Sequence, residues 1–405
     1  MGLRRRANPN YHSSLLFVLL AFVLLPWAAG CGSGSSSTSS NQPPNTTPTT
    51  SGSPAPGGSS SSPATARTFV YAGQQNVLPS STGKIAGFVV SADGSAQATP
   101  GSPYSGSGSG LAASPSGDIL FGSDYSNVES WSVASDGSLS RLNNLAGTFG
   151  NLLMIDNSGH TLYAQEFYVG GTGNNDYAFL SIGSNAALQK IGATPQSVDG
   201  GRFVFTPDDS RAYGTFCYHL EANMVGYNRN SDGSLTGFNT NAPLPNDGED
   251  ATFCPTGLAI SPDGKYLVAT LVSVLSTTGA FFGVYTINSD GTLSPVAGSP
   301  YAAAAQGRDV VFDPSGKFIL VAETDGLAAY QFTPGSAPVR MSGSPAGGAA
   351  MDRVVLSHSG QLAFSISSAA QNLYIFTFSN GTLTQAPGSP QALGFAPGSL
   401  AEVER

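Results

Sequence analysis

Positive charge is scarce in this sequence: lysine occurs four times in 405 residues, and charged residues of all kinds make up 10%. The formal net charge is −9, and three of the arginines stand together at positions 4–6. Taking those three away, with no acidic residue among the first 66, leaves −12 on the remainder. Nucleic-acid affinity depends on neutralising phosphates, so an acidic, lysine-poor surface excludes nucleic acid as the main partner. An anionic membrane surface is disfavoured on the same ground. Histidine occurs four times, without an HExxH pair, which argues against a histidine-built zinc site. No G-x-S-x-G nucleophile elbow follows residue 67. Amphipathic helical periodicity of any length is also missing.

The apolar run Leu15–Leu25 is too short to span a bilayer but suits a secretory signal, behind the positive charges of Arg4 to Arg6. It ends in Ala28-Ala29-Gly30-Cys31, which resembles the lipobox of bacterial lipoproteins. That resemblance implies a signal peptide over 1–30 and an acylated Cys31. The chain would then be anchored through a lipid rather than spanning the membrane. A cleaved, unlipidated product is the alternative, because Ala28 stands where Leu is usual. Gly32 after the cysteine favours the outer membrane of a two-membrane bacterium. Residues 31–66 form a Ser/Thr/Gly/Pro tether without charge or aromatics and cannot bury a core. As a flexible coil it would hold the following domain about 30–35 Å away.

From residue 67 a turn phrase recurs: SPSG at 114–117, DNSG at 156–159, TPDD at 206–209, SPDG at 261–264, DPSG at 313–316 and SHSG at 357–360. Spacings of 42 to 55 residues mark a repeat architecture. In the phrase, Ser or Asp opens the turn, Pro presets φ and Gly accepts the left-handed conformation. A second phrase accompanies the hairpins, a strand bearing an aromatic (Phe88, Trp131, Tyr227, Tyr285, Tyr330, Phe376) and then most often an Asp-Gly or Asn-Gly turn. Gly-Ser-Pro then follows at 101–103, 298–300, 343–345 and 388–390. Four short strands per unit, here a to d, predict an all-β propeller. APGSLAEV at 396–403 reads as a strand a without its turn, and RTFVYAG at 67–73 as a strand b without its strand a. Joined, they make a seventh blade and close the ring over 67–405.

SPDGKYLVAT, the aromatic strand and the SDGTL turn together resemble the lactonase-like seven-bladed propellers, the group of 6-phosphogluconolactonases and YVTN-repeat proteins. The resemblance implies a site at the mouth where strand a starts and strand b ends, built from an Arg before strand a, an acid after strand b, a His and a further Arg. Arg308 and Glu323 match the first two, as substrate clamp and as base toward a lactone carbonyl. His219 is the candidate histidine. Further residues expected at this mouth are Asp124, Glu166, Arg202, Asp352 and Arg353. An ion pair between adjacent strands is the competing reading of Arg308.

No cofactor is required by this reading. Acids converging on the mouth, with Asp247, Glu249 and Asp250 in a nearby loop, could hold a divalent cation. Separate solvated acids are the alternative. Cys217 and Cys254 fall on one face and in an exported protein could form a disulfide, against two separate thiols. The loop 166–179 lies over the same mouth, as a lid or a tolerated insertion. The sequence therefore supports a lipid-anchored extracytoplasmic binding module, expected to act as a monomer on a small molecule or an envelope protein. A lactonase-type hydrolase is the alternative.

Overall fold

The computed structural model describes residues 67–75, 83–166, 177–194, 200–218, 221–246, 253–273 and 279–405. The leader, Cys31, the tether, His219, most of the loop 166–179 and the acids at 247–250 lie outside the described residues. The described chain is an all-β ring of seven antiparallel four-stranded blades. Blade 1 runs through Gly110–Ala113, Ile119–Ser123, Asn127–Val133 and Leu139–Ala146, and the same order repeats through blade 6, which starts at Arg353–Leu356. Blade 7 is the composite. Its strand a is the C-terminal Pro397–Glu404, hydrogen-bonded in antiparallel register to Thr68–Gln74. The backbones of Arg67 and Arg405 close the ladder by exchanging hydrogen bonds of 2.6 and 3.0 Å.

Successive strand residues face opposite sides of a sheet, so every blade buries apolar residues on both faces. Seven hydrophobic clusters result, each at a boundary between neighbouring blades. Leu400 and Phe364 meet between blades 6 and 7, and Leu111 meets Phe69 and Val403 between blades 7 and 1. The aromatics of strand c, from Phe88 at 8% exposure to Phe376 at 0%, belong to this packing.

Two turn types lock the blades. Gly137, Gly233 and Gly291 of the Asp-Gly turns have φ of +79° to +92°, which L side chains rarely adopt. Their carbonyls accept hydrogen bonds from buried tyrosines on the preceding blade: Tyr71 at 2.8 Å, Tyr163 at 2.7 Å and Tyr213 at 2.9 Å. The Gly-Ser-Pro turns have a cis Ser–Pro bond at Ser102, Ser299, Ser344 and Ser389. Each serine Oγ accepts the backbone N–H of a strand c residue, at Gly87, Val284, Ala329 and Ile375 respectively, over 2.9–3.0 Å. After three of these turns a two-residue segment, such as Tyr301–Ala302, pairs again with strand c and covers its outer edge.

Candidate functional site: the central channel

The strands a surround the axis, so what lines the channel is decided by their register. In blades 3, 4 and 5 that register slips where strand a begins, between Gly200 and Phe203, Pro255 and Gly257, and Gly307 and Asp309. Such bulges re-aim side chains. They release Arg202, Thr256 and Arg308 from the regular alternation of the ladder.

At this end the channel narrows to a throat lined by Asn151, Arg202, Asp309, Arg353 and Ser399 among others. Nη1 of Arg202 stands 2.8 Å from Oδ2 of Asp309, a contact across 107 residues of chain. The same Asp309 oxygen accepts the backbone N–H of Val354 at 3.2 Å, and Asp309 is 3% exposed. Arg353 lies deep in the throat. The one hydrogen bond of its guanidinium among the described residues is a long one, 3.4 Å, to the carbonyl of Asp352. Burial, and next the positive charge of Arg202, push its guanidinium below the usual arginine range. An arginine still holds its proton, so among the described residues the throat carries two guanidinium groups against one carboxylate. An anion placed there would relieve both penalties.

The other expected residues are engaged elsewhere. Arg308 forms an ion pair with Asp352 of the next blade, whose second oxygen accepts the Ser368 N–H at 2.6 Å. Glu323 is fully buried, with one oxygen 2.5 Å from the Tyr330 hydroxyl and the other 2.5 Å from Arg340. Burial pushes its carboxyl up to about 7. With both oxygens occupied and no exposed surface, it is not placed to activate water beside Arg308. Asp124 caps its own turn, accepting the N–H groups of Ser126 and Asn127 at 2.8 and 3.0 Å, and receives the Ser107 hydroxyl at 2.8 Å. Glu166 pairs with Lys190 at 2.5 Å. Among the described residues no three Asp, Glu, His or Cys side chains gather as a metal would require. Cys217 and Cys254 are joined by a disulfide, with Cα atoms 5.5 Å apart, linking blades 3 and 4.

Of the expected set, then, Arg202 and Arg353 come together in the throat. Asp309 joins them, and sequence reasoning missed it. Its signal was an acid four residues before the turn phrase, the place that Arg202 and Arg353 hold in their own blades, in the dipeptide Arg308-Asp309, which is mirrored as Asp352-Arg353 one blade on. Alternation sends Arg308 and Asp352 to each other and leaves Asp309 and Arg353 on the axis.

Residues 183–349 match the family model described as lactonase, seven-bladed beta-propeller. The matched stretch is under half of the 405 residues, and over it the chain resembles the lactonase-type propellers. Similar solved structures include a periplasmic gluconolactonase of Pseudomonas aeruginosa, at 18% identity and a TM-score of 0.63, with 84% of this chain and 99% of that one covered. A candidate 6-phosphogluconolactonase of Bacteroides fragilis aligns at 17% identity and 0.63, over 84% and 99%. One from Bacteroides uniformis aligns at 16% and 0.63, over 83% and 99%. At these identities the likeness is one of fold. No curated protein sequence matches the chain.

Proposed function

We propose that this lactonase-like propeller is a lipid-anchored, extracytoplasmic binding module that takes a small acidic molecule in the throat of its channel. The observation that carries the reading is Arg353: a guanidinium held deep at the axis beside a second one, without an ion pair of its own among the described residues. A carboxylate bridging Arg353 and Arg202 would gain charge-assisted hydrogen bonds in a site shielded from bulk water. The anchor rests on Ala28-Ala29-Gly30-Cys31. Cys31→Ser should release the protein from the membrane fraction and abolish its labelling by a fatty-acid probe, and retention of both in the variant would refute the anchor.

Hydrolysis of a cyclic ester is the second reading, favoured by Asp309, a carboxylate standing at the throat within reach of Arg202. Titrating the purified protein with a panel of small carboxylates, and assaying a lactone panel in parallel, separates the two. The binding reading expects saturable uptake of a carboxylate, weakened at least ten-fold in Arg353→Ala, with no lactone turnover. Turnover abolished by Asp309→Asn would establish the hydrolase instead. Neither binding nor turnover would remove both readings and leave an envelope protein as the partner to seek.

A further inference from the structure

The throat does not end at the arginines. It shares Leu111, Leu153, Arg202, Val355 and Leu400 with a wider hollow of about 640 Å³ that runs toward the face carrying the a–b turns. That volume falls within the range of about 300–1,000 Å³ found for ligand sites. We propose that the channel ligand is an aliphatic carboxylate, its head on Arg353 and Arg202 and its hydrocarbon chain lying along the channel wall. The proposal rests on the reading of the throat as a carboxylate site and specifies what is attached to that carboxylate.

Two observations point the same way. Beyond the arginines, five blades each contribute a half-buried aliphatic side chain to the wall, Ile155, Val204, Ile260, Val311 and Val355, with Asn157, Ser357 and His358 beside them toward the a–b turns. A polyhydroxylated acid lying there would set its hydroxyls against hydrocarbon, and each one buried without a partner is penalised. A methylene chain gains from the same contact. The ends of the channel also differ in charge. At the far rim stands Asp313, whose carboxylate closes its own turn. Two arginines at one end and this carboxylate at the other favour one direction of entry for a carboxylate-headed chain.

The test is the affinity of the intact purified protein for butanoate, hexanoate, octanoate and decanoate, measured by calorimetry beside gluconate and 1-octanol. Each added methylene should tighten binding about four-fold, corresponding to ~0.8 kcal/mol. Octanol should bind at least ten-fold more weakly than octanoate, and Arg353→Ala should bring octanoate to the level of octanol. The isosteric pair Val204→Thr and Val311→Thr should flatten the dependence on chain length. Gluconate binding as tightly as octanoate, or affinity independent of length, would overturn the aliphatic ligand while the carboxylate site stands. A length dependence that persists in the Arg353 and threonine variants would reveal surface adsorption and likewise overturn it. No binding of any carboxylate would remove the underlying reading as well.

Discussion

At the scale of the residue, the dipeptides Arg308-Asp309 and Asp352-Arg353 show how little separates a structural ion pair from a binding site. In each, one member turns to the neighbouring blade and the other to the axis, with a bulge at Arg308 and a regular ladder from Arg353. The sequence contains both dipeptides in plain view, but a one-residue slip in register is set by backbone hydrogen bonding and leaves no mark in residue type. Arg202 and Arg353 were legible as charges before strand a. Asp309 stands at the same register, four residues before its turn phrase, but goes unmarked because the resemblance points to an acid after strand b. Glu402 does stand where the pattern expects an apolar residue, aligned with Ile260 in the repeat phrase. Burial, reinforced by Glu404, pushes its carboxyl up to about 8. A folded-state value above the unfolded one means that folding favours the protonated acid. This contribution is complete below about pH 4.5 and is lost as pH rises toward 8. Unfolding free energy should therefore fall between pH 5 and 8, on the order of 2–4 kcal/mol from this group. Glu323, raised to about 7, acts with the same sign. Glu402→Gln should remove its share of the slope in denaturant titrations at the two pH values, and an unchanged slope would contradict the assignment.

At the scale of the element, the turn phrases were readable because they are chemistry local to four residues. The a–b hairpins and the Asp-Gly turns fall where the phrases stand. Gly-Ser-Pro was visible only as punctuation. Its serine reaches 15 residues back, or nearly so, to a strand c N–H, a partner that the phrase itself does not contain. Tyr213 is a comparable long-range element. Tyr213→Phe leaves the Gly291 carbonyl short of a buried donor and should lower stability by about 1 kcal/mol, read from the denaturation midpoint. The disulfide joins the end of strand b in blade 3 to the start of strand a in blade 4, across 37 residues. Cys217→Ser with Cys254→Ser should cost about 2–4 kcal/mol. Under reducing conditions the parent protein should match the double variant, and a difference between them would mean that the cysteines contribute through packing instead.

At the scale of the whole molecule, closure was legible from the split ends of the repeat, and the seven interblade clusters follow from it. Replacing Leu400 by Asp would put a charge into the cluster between blades 6 and 7, at a strand that has no covalent link to the blade it completes. The ring should then open there. Limited proteolysis would cut first between 75 and 100, whereas cleavage elsewhere would mean that blade 7 does not depend on its borrowed strand. The polar residues of the throat come from strands a of blades 2, 3, 5, 6 and 7, one from each: Asn151, Arg202, Asp309, Arg353 and Ser399. A molecule seated there touches the rim of the wheel from its axle. Whatever binds only the closed ring also holds it shut, by a free energy that grows with the logarithm of its concentration over Kd. The occupant of the channel would thus act as a fastener for the seam between the chain's two ends, and the stability of that seam would report how full the channel is.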